Sequence, residues 1–206
     1  MSPRRRTGRR ARSSRGQGLV EFALILPVFI VILLSLLDFG LAFSHNLTLE
    51  YSTREGARTG AALGKGKSPS LPCTSVDNYV MAAVQRVLKA PGSTVNLDDI
   101  GEVRIYKAGA NGGEIGAVNV WKYNAGTRPT VDGQVLDFGL ISTSWSACDR
   151  SSATPNPDSI GVSITYQYHF ITPLASALSL VGGRTSGPAT LAMADRTVMQ
   201  LNPASQ

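Results

Sequence analysis

Residues 19–43 form one apolar run, broken only by Glu21 at its entrance and Asp38 near its far end. At 1.5 Å rise per residue, a helix over 22–37 is about 24 Å long, and extension to residue 43 makes it about 33 Å, enough for a bilayer core. Pro27 removes one helix hydrogen bond, which membrane helices tolerate. The helical pattern outlasts the apolar run, because Glu50, Arg54, Glu55 and Arg58 recur at helical spacing as far as Leu63. Gly64-Lys65-Gly66-Lys67-Ser68-Pro69 then ends the helix. Ser75 reads as the N-cap of a second helix, with Val76, Val80, Val84 and Val87/Leu88 on one face and Pro91-Gly92 as its stop.

Period-two alternation takes over further on. Val103 and Ile105 alternate with Glu102, Arg104 and Tyr106, and a glycine-rich connection over 109–116 leads to a second strand at 118–123, so the two are expected to pair as a hairpin. Residues 124–157 are poorly periodic and are assigned mostly to loop. Ile160, Val162, Ile164, Tyr166, Tyr168 and Phe170 then occupy every second position, as in a sheet with one buried face. Residues 173–187 carry the chain back to a last strand containing Leu191, Met193, Thr197, Met199 and Leu201. The expected fold is α+β: a long amino-terminal transmembrane helix, then an extracytoplasmic domain with one helix packed on an antiparallel sheet. The expected boundaries are a basic leader at 1–16, the long helix at 17–64 with its span at 19–43, and the domain at 65–206.

Charge sharpens the topology. The chain has 206 residues and a net charge of +6, but Arg4, Arg5, Arg6, Arg9, Arg10, Arg12 and Arg15 all precede Gly16. Without these seven, the rest of the chain carries thirteen cations against fourteen acids, so the basicity belongs to the leader. A folded nucleic-acid-binding face needs a basic stripe on the body, and none is evident. Arginines ahead of an apolar span orient it with the amino terminus in the cytoplasm. A secretory signal has a shorter apolar core, roughly 7–15 residues, and a small-residue cleavage site; Leu41-Ala42-Phe43-Ser44 supplies no clear one. A retained anchor with an exterior body is the expectation.

Cys73 and Cys148 both fall in that exterior body, where an even pair favours a disulfide, the other possibility being two buried thiols. Gly56, Gly60 and Gly64 make a small-residue stripe that either admits a second backbone or seats the helix on its own domain. Asp38 is either solvated near the headgroups or engaged in a helix–helix contact. Catalytic patterns are lacking. His45 and His169 have no metal-ligand spacing, Gly64-Lys65-Gly66-Lys67-Ser68 lacks the spacing and preceding strand of a phosphate loop, and Asp98-Asp99 reads as a solvated turn. No enzyme activity, cofactor, metal or small-molecule substrate is expected.

Gly16-Gln17-Gly18-Leu19-Val20-Glu21-Phe22-Ala23-Leu24, followed by Pro27, Asp38-Phe39-Gly40 and Arg54-Glu55-Gly56-Ala57-Arg58, resembles the TadE-like pseudopilins of tight-adherence (Flp-type) pili. The ending, with its alternating strand, Ile171-Thr172-Pro173-Leu174 and Arg196-Thr197-Val198-Met199, is similar too, and the likeness is strongest over 16–64. The resemblance implies a role in pilus assembly and cleavage by a prepilin peptidase after a glycine, with glutamate fifth in the mature chain. That places the cut between Gly16 and Gln17, whereas cleavage after Gly18 would leave Glu21 third. It also implies that Glu21, beside Phe22, meets the freed amino terminus of a neighbouring subunit, because a carboxylate in low dielectric is penalised unless paired. The bland alternative is a glutamate snorkelling to the headgroups.

Implied partners are the prepilin peptidase, other pseudopilins, the pilus assembly platform and the membrane. Candidate contact surfaces are the glycine stripe and an apolar hairpin around Leu174, Leu178, Leu180 and Val181. Two rivals stand: a single-pass anchored binding or adhesion module that is never processed, and a secreted enzyme or adhesin released near Ser44 by ordinary signal peptidase.

Overall fold

The structure, a computed structural model, describes residues 15–66, 70–172 and 190–202. The arginines at positions 4–12 and the expected hairpin around Leu174, Leu178, Leu180 and Val181 lie outside these residues. The architecture is α+β, as the patterning predicts.

Helix α1 runs unbroken from Arg15 to Leu63, 49 residues with Pro27 inside it, and is about 73 Å long. It stops where Gly64 enters the left-handed region at φ 52°, its N–H donating to Gly60 O at 2.9 Å while Gly66 N–H donates to Leu63 O at 2.7 Å. A short 3-10 turn, Cys73–Ser75, leads straight into α2, Val76–Leu88. Ser75 stands at the expected N-cap position, but it has helical dihedrals and makes no side-chain capping bond, because the preceding turn already carries the chain into the helix. The apolar face of α2 is the expected one, with Val76, Val80, Val84 and Leu88 buried.

The strands are β1 (Ile100–Ala108), β2 (Glu114–Tyr123), β3 (Thr130–Val131), β4 (Gln134–Val135), β5 (Phe138–Thr143), β6 (Ser159–His169) and β7 (Thr190–Gln200). Five of them form an antiparallel sheet in the order β5-β2-β1-β6-β7, and β3 pairs with β4 as a separate ribbon. The register sets Ile105 opposite both Asn119 and Val162, and Val162 opposite Thr197, so one face gathers the inward residues of four strands. The second half of α1 and helix α2 lie on that face, and Leu49, Ala57, Val80, Val84, Val103 and Val162 share one core.

The assignment of 124–157 mostly to loop is corrected here. Asp132 and Gly133 both take positive φ, 49° and 80°, forming the turn between β3 and β4. Strand β5 closes one edge of the sheet against β2. Asp-Gly is a recognised hairpin signal, but two-residue strands beside it carry too little alternation to register. β5 is also hard to see, since only Phe138 and Gly139 of its six residues are fully buried.

Candidate functional site

The residues singled out for function lie along α1, which divides at Asp38. From Gly16 to Leu37 every side chain is exposed except the half-buried Leu34. Leu19, Phe22, Leu24 and Leu36 are each more than three-fifths exposed. This stretch of 22 residues is about 33 Å long, and the apolar run continues to Phe43, so the helix is more than long enough for a hydrocarbon core of about 30 Å. Among the described residues, α1 is the one helix long and apolar enough to cross a membrane. Gly16, Gln17 and Gly18 form its first turn, and the space where a Cβ would sit on Gly16 is open. Amides in a first turn have no intrahelical acceptor, so this end is held by less than the turns that follow. Glu21 lies one turn on, with Gln17 Nε2 3.4 Å from its Oε1, and Phe22 beside it is exposed.

At Asp38 the helix meets its domain. The Asp38 side chain is buried and accepts from the backbone N–H groups of Ile171 and Thr172, each at 3.3 Å, and from the Thr172 hydroxyl. Tyr168 Oη donates to the Asp38 carbonyl at 3.3 Å. Burial speaks against the solvated reading of this side chain; within the chain, Asp38 ties the segment after β6 to α1.

Seven residues on, the buried His45 places Nδ1 3.0 Å from Tyr166 Oη, with the edges of the Tyr166 and Tyr168 rings packed around it. Burial lowers its pKa below the usual 6.5. Thr53 is likewise buried; its hydroxyl bonds the Asp195 carboxylate and lies 3.0 Å from Thr197 Oγ1. From the sequence His45 was weighed only as a metal ligand and Thr53 was passed over, because the polar partners that make them buried sit on β6 and β7, more than a hundred positions away.

The glycine stripe also turns inward. A Cβ on Gly56 would stand 2.6 Å from Val84 Cγ2, and one on Gly60 2.5 Å from Ile160 Cδ1. These two glycines bring α1 close to α2 and β6, the second of the readings left open above, while Gly64 serves as the helix stop. Glu50–Arg54 and Glu55–Arg58 form ion pairs along the outer side of the same helix.

Cys73 and Cys148 are joined in a disulfide with their Cα atoms 5.0 Å apart. It fastens the start of α2 to the segment after β5. Beside it, Arg150, wholly buried, donates to Asp77 Oδ1 at 2.6 Å and lies 4.3 Å from the Trp145 ring centre, and Asn119 Nδ2 donates to Asp77 Oδ2 at 2.6 Å. Nothing in the spacing of those four residues announces the cluster. His169 sits half-exposed, 3.3 Å from Asp99 Oδ1. Among the described residues, no group of three His, Cys, Asp or Glu side chains could hold a metal ion.

The class defined by these features is a protein with a single amino-terminal apolar helix suited to membrane anchoring and an α+β domain seated on the helix's second half. Residues 16–58 match the TadE family, described as TadE-like protein. The matched stretch takes in Gly16, Glu21, Asp38 and Gly56, so the exposed half of α1 and much of its seat on the sheet are TadE-like. No curated protein matches the chain. No solved structure matches it either.

Proposed function

We propose that this protein is a minor pseudopilin acting in assembly of a tight-adherence (type IVb) pilus. The TadE-like match connects the chain with Tad pilus assembly, and TadE-like pilus proteins are structural rather than enzymatic. One observation supports the finer reading most: the family match opens at Gly16, directly ahead of a helix whose lone early acid is Glu21 and whose next turns are apolar and uncovered. In this reading a prepilin peptidase cuts between Gly16 and Gln17 and removes the basic leader. The amino terminus lies in the cytoplasm and the domain on the outside of the cytoplasmic membrane, where the disulfide is chemically at home. Glu21 then receives the new amino terminus of a neighbouring pseudopilin. An unpaired carboxylate is penalised where the apolar span begins, so the pairing would set subunits in register.

The partners in this account are the peptidase, other pseudopilins, the assembly platform and the membrane. Gly56 and Gly60 pack within the domain, which leaves the exposed half of α1 as the surface for neighbouring helices. The test is the amino-terminal peptide of the membrane-bound protein, read by mass spectrometry in cells with and without the peptidase. A peptide beginning at Gln17 only when the peptidase is present is the expected result, and Glu21→Ala should then lower incorporation into pili. An intact leader in both strains would leave instead an unprocessed, single-pass binding or adhesion module.

A further inference from the structure

Where the exposed half of α1 meets the domain, helix and sheet enclose an open groove of about 860 Å³, in the size range of small-molecule sites. Val31, Phe39 and Phe43 stand on its helix wall; Phe170, Leu191 and Met193 form the sheet wall. Three polar residues also line it, and two are already engaged. Ser35 Oγ donates to Val31 O at 2.8 Å, and the Asp38 carboxylate is taken up by Ile171 and Thr172. Asn46, exposed at the outer end, is the one of the three whose side chain is engaged by no other described residue. The groove is thus an apolar trough, about 18 Å long from Val31 to Phe43, that ends at a polar lip. One leaflet of a bilayer with a core of about 30 Å has nearly that depth.

Resting on the membrane-anchor reading above, we infer that the groove holds an acyl chain of an outer-leaflet phospholipid, with the glycerol region at Asn46. The domain then sits in the leaflet instead of standing above it. The groove's continuity with the span favours lipid over a second copy of the chain, because its helix wall is the same helix that faces hydrocarbon below. So does its chemistry, since short of the lip it offers no directional partner to a peptide or polar ligand. Phe39 on its wall and Ile171 beside it are 72% and 68% exposed, at the same end of the domain. Apolar side chains grouped in this way are costly in water and at home among acyl chains.

The experiment is full-length protein reconstituted into phosphatidylcholine bilayers containing a phospholipid with a photoactivatable diazirine midway along one acyl chain. After irradiation, adducts are mapped to peptides by mass spectrometry. Adducts on residues 16–30, below the groove, and also on Leu191 or Met193 are expected. Leu191→Gln, at a position already partly exposed, should lower the Met193 yield severalfold and leave the yield on 16–30 unchanged. Adducts confined to 16–30 would overturn the groove's role while leaving the anchor intact. Adducts on neither region would remove the anchor reading and this inference together. With a photoactivatable leucine analogue incorporated into the protein instead, copy-to-copy crosslinks from position 191 in place of lipid adducts would assign the groove to a second subunit and overturn the lipid.

Discussion

Between Gly16 and Leu37, α1 carries leucine, isoleucine, valine and phenylalanine on every side and buries none of them fully; between Asp38 and Leu63 it buries Ala42, Leu49, Ala57 and Ala61, with His45, Ser52 and Thr53 among them. The more apolar half is the uncovered one, and the half that enters a protein core does so through small and polar side chains. Hydropathy along this helix therefore reports which solvent each half is built for, not which half packs against protein. Close approach governs the second half. Glycines at 56 and 60 bring α1 onto Val84 and Ile160, and each buried polar group finds its acceptor or donor on the sheet or on the preceding turn.

If that division holds, changes in the seated half of α1 or in the domain it carries should weaken the domain and leave membrane retention alone. The largest effect belongs to the disulfide, which closes a separation of 75 residues. Cys73→Ala with Cys148→Ala should cost about 4.5 kcal/mol by loop entropy, read as a lower denaturant midpoint for the domain with undiminished membrane fraction. Next come the glycines: Gly56→Val with Gly60→Val should cost about 1–3 kcal/mol at each site by overpacking, although valine is the better helix former. A stabilised double variant would mean that the tight approach of α1 to α2 and β6 is wrong.

Asp38→Ala should cost about 1–3 kcal/mol, since two backbone N–H groups and a hydroxyl lose their acceptor. Its signature is local. Amide exchange should quicken at Ile171 and Thr172 while the centre of β1 stays protected, and unchanged exchange there would break the comparison at its hinge.

The smallest effect is a pH dependence at His45. Burial holds its pKa below 6.5, the Asp99 carboxylate pulls weakly the other way, and the Tyr166 and Tyr168 rings pack against it. The unfolded chain thus binds the proton more readily than the fold does. Stability from this group is complete above the unfolded value of 6.5 and is lost as pH falls through the lower folded value. His45→Gln should flatten the acid side of a pH–stability profile; a profile of unchanged slope would assign it elsewhere.

Much of this was legible from local pattern. The span, the helix stop at Gly64, the face of α2 and the strand ending at His169 each follow from periodicity or a single backbone requirement within a few residues. Strand β5 was not, because it is short, largely exposed and defined by pairing with β2. The Asp132-Gly133 turn did carry a signal, too weak beside two-residue strands to stand alone. Asp38 was visible as an anomaly, yet its partners are 133 and 134 residues away.

The sequence by itself determined the division of α1 into an apolar and a polar half, the acid and glycine at its head, and the order of the two helices and of β1, β2, β6 and β7, because those depend on side-chain solvation and local backbone geometry. Only the tertiary structure decided that the glycines face α2 and β6, that Asp38 and His45 are tied to β6 and the segment just beyond it, and that Arg150 is buried against Asp77 and Trp145. Those facts require strands distant in the chain to be brought into register. A buried polar group becomes tolerable only once that register has delivered its partner.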